Sequence, residues 1–356
     1  MIVFVYHIMM DMYVIHPMHN LKFIEELLIR PNVHIVMVAC AIFVLISGAT
    51  IKLNERNESL FDFYKRRLLK LLIPFYITYV IYFIIKAITF KNIHLFGGIE
   101  KWRFIWTILG VDEYLNAAGI KTFTLGIGEW FLGCILICYI FYPILSYFDK
   151  KYKIATFVLM TIYNIFINVF YEKLNIQMPQ HFNVLCQIYN FYIGIFIASF
   201  LKNVEYLSIN RIAINIFCCI ISIFLYFCPR NIGVVENVKS GIALSGEGYL
   251  LNLVSAIPDN IKVTIMSVAV CILFSNIERV IERCEIIVEL IKKFGLISFE
   301  FFLTHHFVIY EVDYLLGYRR LGGLATLAVM VIDFVLTLLF AVLVNKISKM
   351  ANRFIV

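Results

Sequence analysis

Apolar runs long enough to cross a lipid bilayer recur from one end of this 356-residue chain to the other. A hydrocarbon core about 30 Å thick takes about 20 residues of helix, because every backbone N–H and C=O within it must be bonded inside its own segment. The candidate segments are 1–15, 33–51, 72–90, 129–147, 153–171, 184–201, 211–228, 258–277, 294–314 and 321–345. Composition agrees, with 62% of residues hydrophobic and 15% charged, against roughly 25% charged in soluble domains. A water-soluble fold could not hide that much apolar surface. No Pro/Ser-rich linker, charge block, low-complexity stretch or internal repeat divides the chain. The expectation is an all-α polytopic membrane bundle of about ten transmembrane helices, with residues 1–356 forming one domain.

A net charge of +7 could suggest a nucleic-acid partner, but the cations fall in short clusters between apolar runs rather than along one soluble face. No nucleic acid is expected. By the positive-inside rule, Lys65-Arg66-Arg67-Lys70, Lys150-Lys151-Lys153, Lys202/Arg211, Arg279/Arg283/Lys292/Lys293 and Lys346/Lys349/Arg353 face the cytoplasm, as do both termini. Segments 91–128 and 229–257, with the acids Asp112, Glu113, Glu236 and Glu247, take the opposite face. Trp102, Phe104 and Trp106 lie in a stretch too polar to span, which predicts a short helix in the outer interface. The nine cysteines show neither a CxxC pair nor zinc spacing. Cys134, Cys138, Cys218, Cys219 and Cys271 lie within apolar segments, where packing is their natural role, and no metal is expected.

Chemistry-bearing residues are sparse. His7, in Val-Phe-Val-Tyr-His, is an imidazole on an apolar helix and could be an ordinary core histidine. Ser47-Gly48 closes the second segment and could serve helix packing alone. Arg66, Arg67 and Lys70 precede Pro74 at the entry to the third, where they could be a positive-inside anchor. Glu129-Trp130-Phe131-Leu132 opens a helix carrying Tyr139 and Pro143, and Trp130 could be an interfacial anchor. Gly295-Leu296-Ile297-Ser298-Phe299-Glu300, followed by His305-His306, puts polar groups in the ninth segment. A carboxylate at membrane depth costs roughly 2.5–3.5 kcal/mol, so Glu300 needs a partner or a wet cavity.

In order and spacing these elements resemble the acyltransferase-3 family of integral membrane O-acyltransferases. That family has a first-helix His, a Phe-rich run ending in Ser-Gly, and a Lys-Arg-x-x-Arg-Leu-Leu-Ile-Pro-Tyr-like entry to the third helix. It continues with Trp-Phe-Leu then Tyr and Pro, and a Gly-x-x-Ser-Tyr-x-x-Tyr-Leu-x-His-like stretch near the end. Here they correspond to His7, Ser47-Gly48, Arg66-Arg67-x-x-Lys70 with Pro74, Trp130 with Tyr139 and Pro143, and Ser298 with His305. Lys70 replaces an arginine, and Phe75, Phe299 and Phe302 replace tyrosines. The resemblance implies acyl transfer, most often of acetyl from acetyl-CoA, onto a hydroxyl of a cell-surface glycan or its lipid-linked precursor in a bacterial plasma membrane. No permanently bound cofactor is implied. His7 would be the general base or an acyl relay, Arg66, Arg67 and Lys70 would bind the phosphates of acyl-CoA, and Ser47, Trp130, Ser298 and His305 would line the cavity.

The first segment is short, since Met1 to Met10 covers roughly 15 Å, about half of the core. The arginine that the family carries eleven positions before its first-helix His falls before Met1. Both features lead us to expect a true start upstream. His7 would then lie roughly 16 Å into the first helix, near the midplane. A glycan transporter or flippase that forms no bond would also suit such a bundle, as would an inactive relative kept as a membrane partner. The His7 and Arg-Arg-x-x-Lys pairing favours the enzyme.

Overall fold

The computed structural model describes residues 2–15, 35–89, 100–201, 211–227, 257–316 and 323–355, and no strand occurs among them. The principal helices are α1 (Ile2–Ile15), α2 (Ile35–Leu53), α3 (Leu60–Thr89), α4 (Glu129–Lys151), α5 (Lys153–Phe170), α6 (Val184–Leu201), α7 (Arg211–Phe227), α8 (Asp259–Ile281), α9 (Glu285–Gly295), α10 (Ser298–Leu316) and α11 (Gly323–Ile355). A helix stands at each expected segment. Among the described residues, five stretches are long and apolar enough to cross a membrane: Ile35–Leu53, Leu60–Ile88, Glu129–Lys151, Lys153–Leu174 and Ala328–Arg353. Val184–Phe200 and Ala213–Phe227 are apolar but shorter. α1 has 14 residues, and α10 carries Glu300, Glu311 and Asp313 within 19. Lys202, Glu236 and Glu247 lie outside the described residues.

The bundle is apolar on its outer surface and also carries polar groups within its largely apolar core. α5 turns Ile154, Val158, Leu159, Ile162 and Phe166 outward while Asn164 and Asn168 are buried. Several interior polar groups are answered from neighbouring helices, as burial in lipid favours. Asn345 Nδ2 of α11 donates to Glu300 Oε1 at 2.8 Å, supplying the partner that Glu300 needs. Lys86 of α3 pairs with Glu311 of α10 at 2.8 Å. Asn190 of α6 accepts from Thr264 of α8 at 2.7 Å. The described cysteines are all free thiols, and Cys134, Cys138 and Cys218 are buried.

Two boundaries move for local reasons. α3 begins at Leu60, before the basic cluster rather than after it, because Ser59 caps it: Ser59 Oγ accepts from the Asp62 N–H at 3.1 Å and donates to the Asp62 carboxylate at 2.6 Å. Glu285–Gly295 is a separate helix, with Ile286, Ile287, Leu290 and Ile291 exposed along one stripe and Glu285, Glu289, Lys292 and Lys293 around it. That pattern suits a helix lying in the membrane interface.

α2 and α6 meet backbone to backbone. A Cβ added to Gly48 would stand 2.1 Å from the Phe191 carbonyl oxygen, and one on Gly194 would stand 1.9 Å from that of Leu45. Only glycine permits such an approach. Around this pair the chain folds so that one end of the bundle brings Arg66 and Arg67 of α3 beside Lys150 of α4. Lys52 at the end of α2 donates to Ser146 near the end of α4 at 2.7 Å, and Lys153 at the start of α5 donates to the Ser199 carbonyl at 3.2 Å. Between α3 and α4, residues 100–128 include the short helical pieces Lys101–Phe104, Ile105–Ile108 and Asp112–Ala117. Trp102, Ile105 and Ile108 are exposed there, as expected of an interfacial segment.

Gly194→Val should therefore destabilise the protein by about 1–3 kcal/mol, read as a lower thermal midpoint in detergent. A midpoint equal to the parent's would mean that the close approach is not needed. A second prediction concerns Asp112, whose carboxyl is pushed up to about 8 by burial, with the charge of Glu113 adding to it. A raised carboxyl stabilises the fold fully below its unfolded pKa and loses that contribution as pH climbs through its folded value. Asp112→Asn should accordingly flatten the decline in thermal stability between about pH 4 and 8.

Candidate active site

The basic end of the bundle holds a pocket of about 210 Å³, lined by Arg56, Arg66, Arg67 and Lys150 against Glu55 and Glu58, with Tyr142 and Ser146 in its wall. Four cations face two carboxylates. Arg66 is held by Glu58 through Nε at 3.1 Å and through a second, terminal N–H. Arg67 is only 7% exposed, and its Nε–H has no hydrogen-bond partner among the described residues. A buried guanidinium with an idle donor is poised for an anion. Lys70 is exposed and stands outside this lining.

A second constellation forms at the other end of α4, where the chain enters the helix through a strained turn. Gly126 and Gly128 have φ of 76° and 79°, and Glu129 itself has φ of 47°. A non-glycine residue adopts that region only under constraint from its surroundings. Here the constraint comes from Glu113, which accepts from Thr124 Oγ1 while the Thr124 hydroxyl oxygen accepts from the Gly126 N–H at 3.2 Å. Burial raises the Glu113 carboxyl above its ordinary range. The turn sends the Glu129 side chain into the bundle, where it is 13% exposed.

Three imidazoles surround that carboxylate. His7 Nε2 of α1 lies 3.4 Å from Glu129 Oε2, and His305 Nε2 of α10 lies 3.4 Å from Oε1. His306 Nε2 meets His7 Nδ1 at 2.7 Å. His305 Nδ1 stands 2.5 Å from the Phe302 carbonyl oxygen, and only its N–H form can satisfy that contact. A ring nitrogen of His306, Nδ1, is buried without a hydrogen-bond partner among the described residues.

Two cavities reach this cluster. One of about 160 Å³ is lined by His7, Glu129 and Trp130 together with Tyr6, His181 and Phe182. Trp130 stacks on Phe182 with centroids 4.6 Å apart, fixing that wall. The other, about 630 Å³ and overwhelmingly apolar, has His305 and Ser298 in its lining. Val3, Cys40, Phe131 and Phe302 border both. Measured along α4 from Tyr142 to Glu129, the histidine cluster lies roughly 20 Å from the basic pocket.

The fold thus brings His7 and His305 into one cluster, with Trp130 walling the smaller cavity and Ser298 at the rim of the larger. Arg66 and Arg67 share a separate pocket. Ser47 hydrogen-bonds to Tyr139 at 2.8 Å, in the column between the two sites. His7 is level with the first turn of α4, nearer the end away from the basic pocket than the half-way depth expected for it. Sequence reading assigned no role in the site to Glu129 or His306. The Gly-x-Gly immediately before Glu129 and the His305-His306 tandem were the available signals.

Comparison with curated proteins and with solved structures finds no match. The acyltransferase-3 family model, described as an acyltransferase domain, matches residues 1–346. With histidines gathered about a carboxylate inside a multi-pass helical bundle and a family match over nearly its whole length, this chain belongs to the acyltransferase-3 family of membrane acyltransferases.

Proposed function

We propose that the protein takes an acyl group, acetyl in the simplest case, from cytoplasmic acyl-CoA and places it on a hydroxyl of a cell-surface polysaccharide or its lipid-linked precursor. The chain crosses a bacterial plasma membrane ten times with both termini in the cytoplasm, so that the basic pocket faces the coenzyme and the Glu129 end faces the glycan. Acyl-CoA is a substrate, not a resident group. The juxtaposition of His7, His306 and Glu129 carries this reading.

Coenzyme A is polyanionic, and Arg66 and Arg67 offer paired donors to its phosphates, with Lys70 adding charge nearby. The pantetheine arm would then run along the Ser47–Tyr139 column and deliver the thioester to the cavity beside His7 and Trp130. There the alcohol attacks the thioester carbonyl, a C–O bond forms, the C–S bond breaks, and the alcohol's proton passes to the imidazoles and on to the departing thiolate. With Nε2–H aimed at Glu129, His7 presents the lone pair of Nδ1, which it shares with His306. The pair accepts the proton and the carboxylate balances the resulting imidazolium, the arrangement that makes a histidine an effective base. Because the basic pocket and the imidazole lie at opposite ends of one helix, donor and acceptor can meet without either crossing the membrane. A flippase would have no use for a carboxylate-oriented imidazole pair.

Radiolabelled acetyl transfer from acetyl-CoA to glycan in membranes tests the reaction itself. His7→Ala should remove transfer while the protein remains in the membrane. Glu129→Gln should lower kcat by roughly 10²-fold, with KM for acetyl-CoA little changed, as expected for a residue that acts through the base. Transfer at parental rates in both variants would remove the cluster from the mechanism. Replacing Arg66 and Arg67 together by Ala should instead raise KM for acetyl-CoA by about 10-fold or more, since two charge-assisted bonds are lost. An unchanged KM would leave those arginines as a topological anchor.

A further inference from the structure

Two histidine nitrogens in the cluster point at one carboxylate, and each ring is tied down at its other nitrogen. His305 gives its Nδ1–H to the Phe302 carbonyl oxygen at 2.5 Å, leaving Nε2 as a bare lone pair. That Nε2 faces Glu129 Oε1 at 3.4 Å, the His305 side chain is 2% exposed, and neither atom has a hydrogen-bond partner among the described residues. Two buried acceptors facing each other repel unless something positive lies between them. His7 can present the same face. When its Nδ1–H donates to His306 Nε2 at 2.7 Å, its Nε2 lone pair also looks at Glu129, again at 3.4 Å.

This is the geometry of a metal site. One ligand atom each from His7, Glu129 and His305 lie within 4.8 Å of one another. Zinc–nitrogen and zinc–oxygen bonds of about 2.0–2.1 Å in a tetrahedron put neighbouring ligand atoms about 3.3 Å apart, close to both N···O separations here. Ligating histidines characteristically donate their second ring N–H to a carbonyl or another acceptor, as the Phe302 carbonyl and His306 provide. A two-histidine, one-carboxylate set leaves a fourth position open toward the adjoining cavities. The donors come from α1, α4 and α10, which explains why no spacing in the sequence signals them.

We propose that His7, Glu129 and His305 bind a divalent transition-metal cation of the Zn²⁺ class, and that its occupancy switches acyl transfer off by fixing His7 in the tautomer that cannot serve as base. The second half rests on the acyl-transfer reading above, while the first does not. Bound metal and free base use opposite tautomers of one ring, so the two states exclude each other.

Purified, chelator-treated protein in detergent should take up one equivalent of Co²⁺ with the visible ligand-field bands of a four- or five-coordinate ion, and Zn²⁺ should displace it. Glu129→Gln and His305→Gln should each weaken Co²⁺ binding at least about 100-fold. Both replacements keep a polar side chain of similar shape, and size-exclusion behaviour matching the parent's identifies folded protein. Absence of the bands, or bands unaltered in both folded variants, would overturn the metal site whatever the activity. In the transfer assay, micromolar Zn²⁺ should suppress acetyl transfer and EDTA should restore it. Transfer undiminished by Zn²⁺ at concentrations that saturate the Co²⁺-displacement curve would overturn the switch. If metal-free protein transferred nothing, the acyl-transfer reading would fail while the spectra still judged the site.

Discussion

Within lipid, a carboxylate persists only if neighbouring helices answer it, and in this protein that rule organises the interior. Glu129 is held among His7, His305 and His306, and the two helices that carry these histidines, α1 and α10, pack against each other. Each contact would be a weak, solvated pair at a protein surface. Away from water the same charges and dipoles act at much lower dielectric, so each contact couples its helices more strongly than it would at a surface. Glu300 with Asn345 and Lys86 with Glu311 obey the same rule at other levels of the bundle. Those pairs join α10 to α11 and to α3. The polar groups therefore act as fasteners between helices, and α10 carries several of them, among them Glu300, Thr304, His305 and Glu311.

Much of this was legible in the sequence, for a physical reason. Lipid imposes a length and a composition on every crossing, so helices appear at each apolar run and the main disagreements are at their ends. α3 starts early because Ser59 and Asp62 cap it ahead of the basic cluster, a signal present in Ser-Leu-Phe-Asp but overshadowed by hydropathy. Glu285–Gly295 falls almost entirely between two of the expected segments because its period is that of an amphipathic helix, whereas hydropathy picks out unbroken apolar length. Its two faces are balanced in a way that hydropathy alone averages out.

The site was legible in part. His7 stands out because an imidazole in an apolar run is costly to leave without purpose, and its placement beside His305 gives that expectation a structural neighbour. Glu129 was invisible as a participant because it looks like the acidic first turn of an ordinary helix, where a carboxylate favours the dipole. Its role depends on the positive φ that turns its side chain inward, and backbone handedness at a non-glycine residue cannot be read from composition or spacing. The partnership of residues 7, 129 and 305 is likewise a property of the tertiary fold. No local pattern joins positions so far apart along the chain.

The glycine contact between α2 and α6 also bears on which parts of the bundle can shift. Two helices joined main chain to main chain have no side-chain layer to shear across, so this pair behaves as a rigid spine for the bundle. α1 packs on α2 of that spine and on α10, and it meets α10 through aromatic edges such as Phe4 against Phe301. Because His7 rides on α1 while His305 and His306 ride on α10, any slippage between these two helices would part the imidazoles and leave the spine intact.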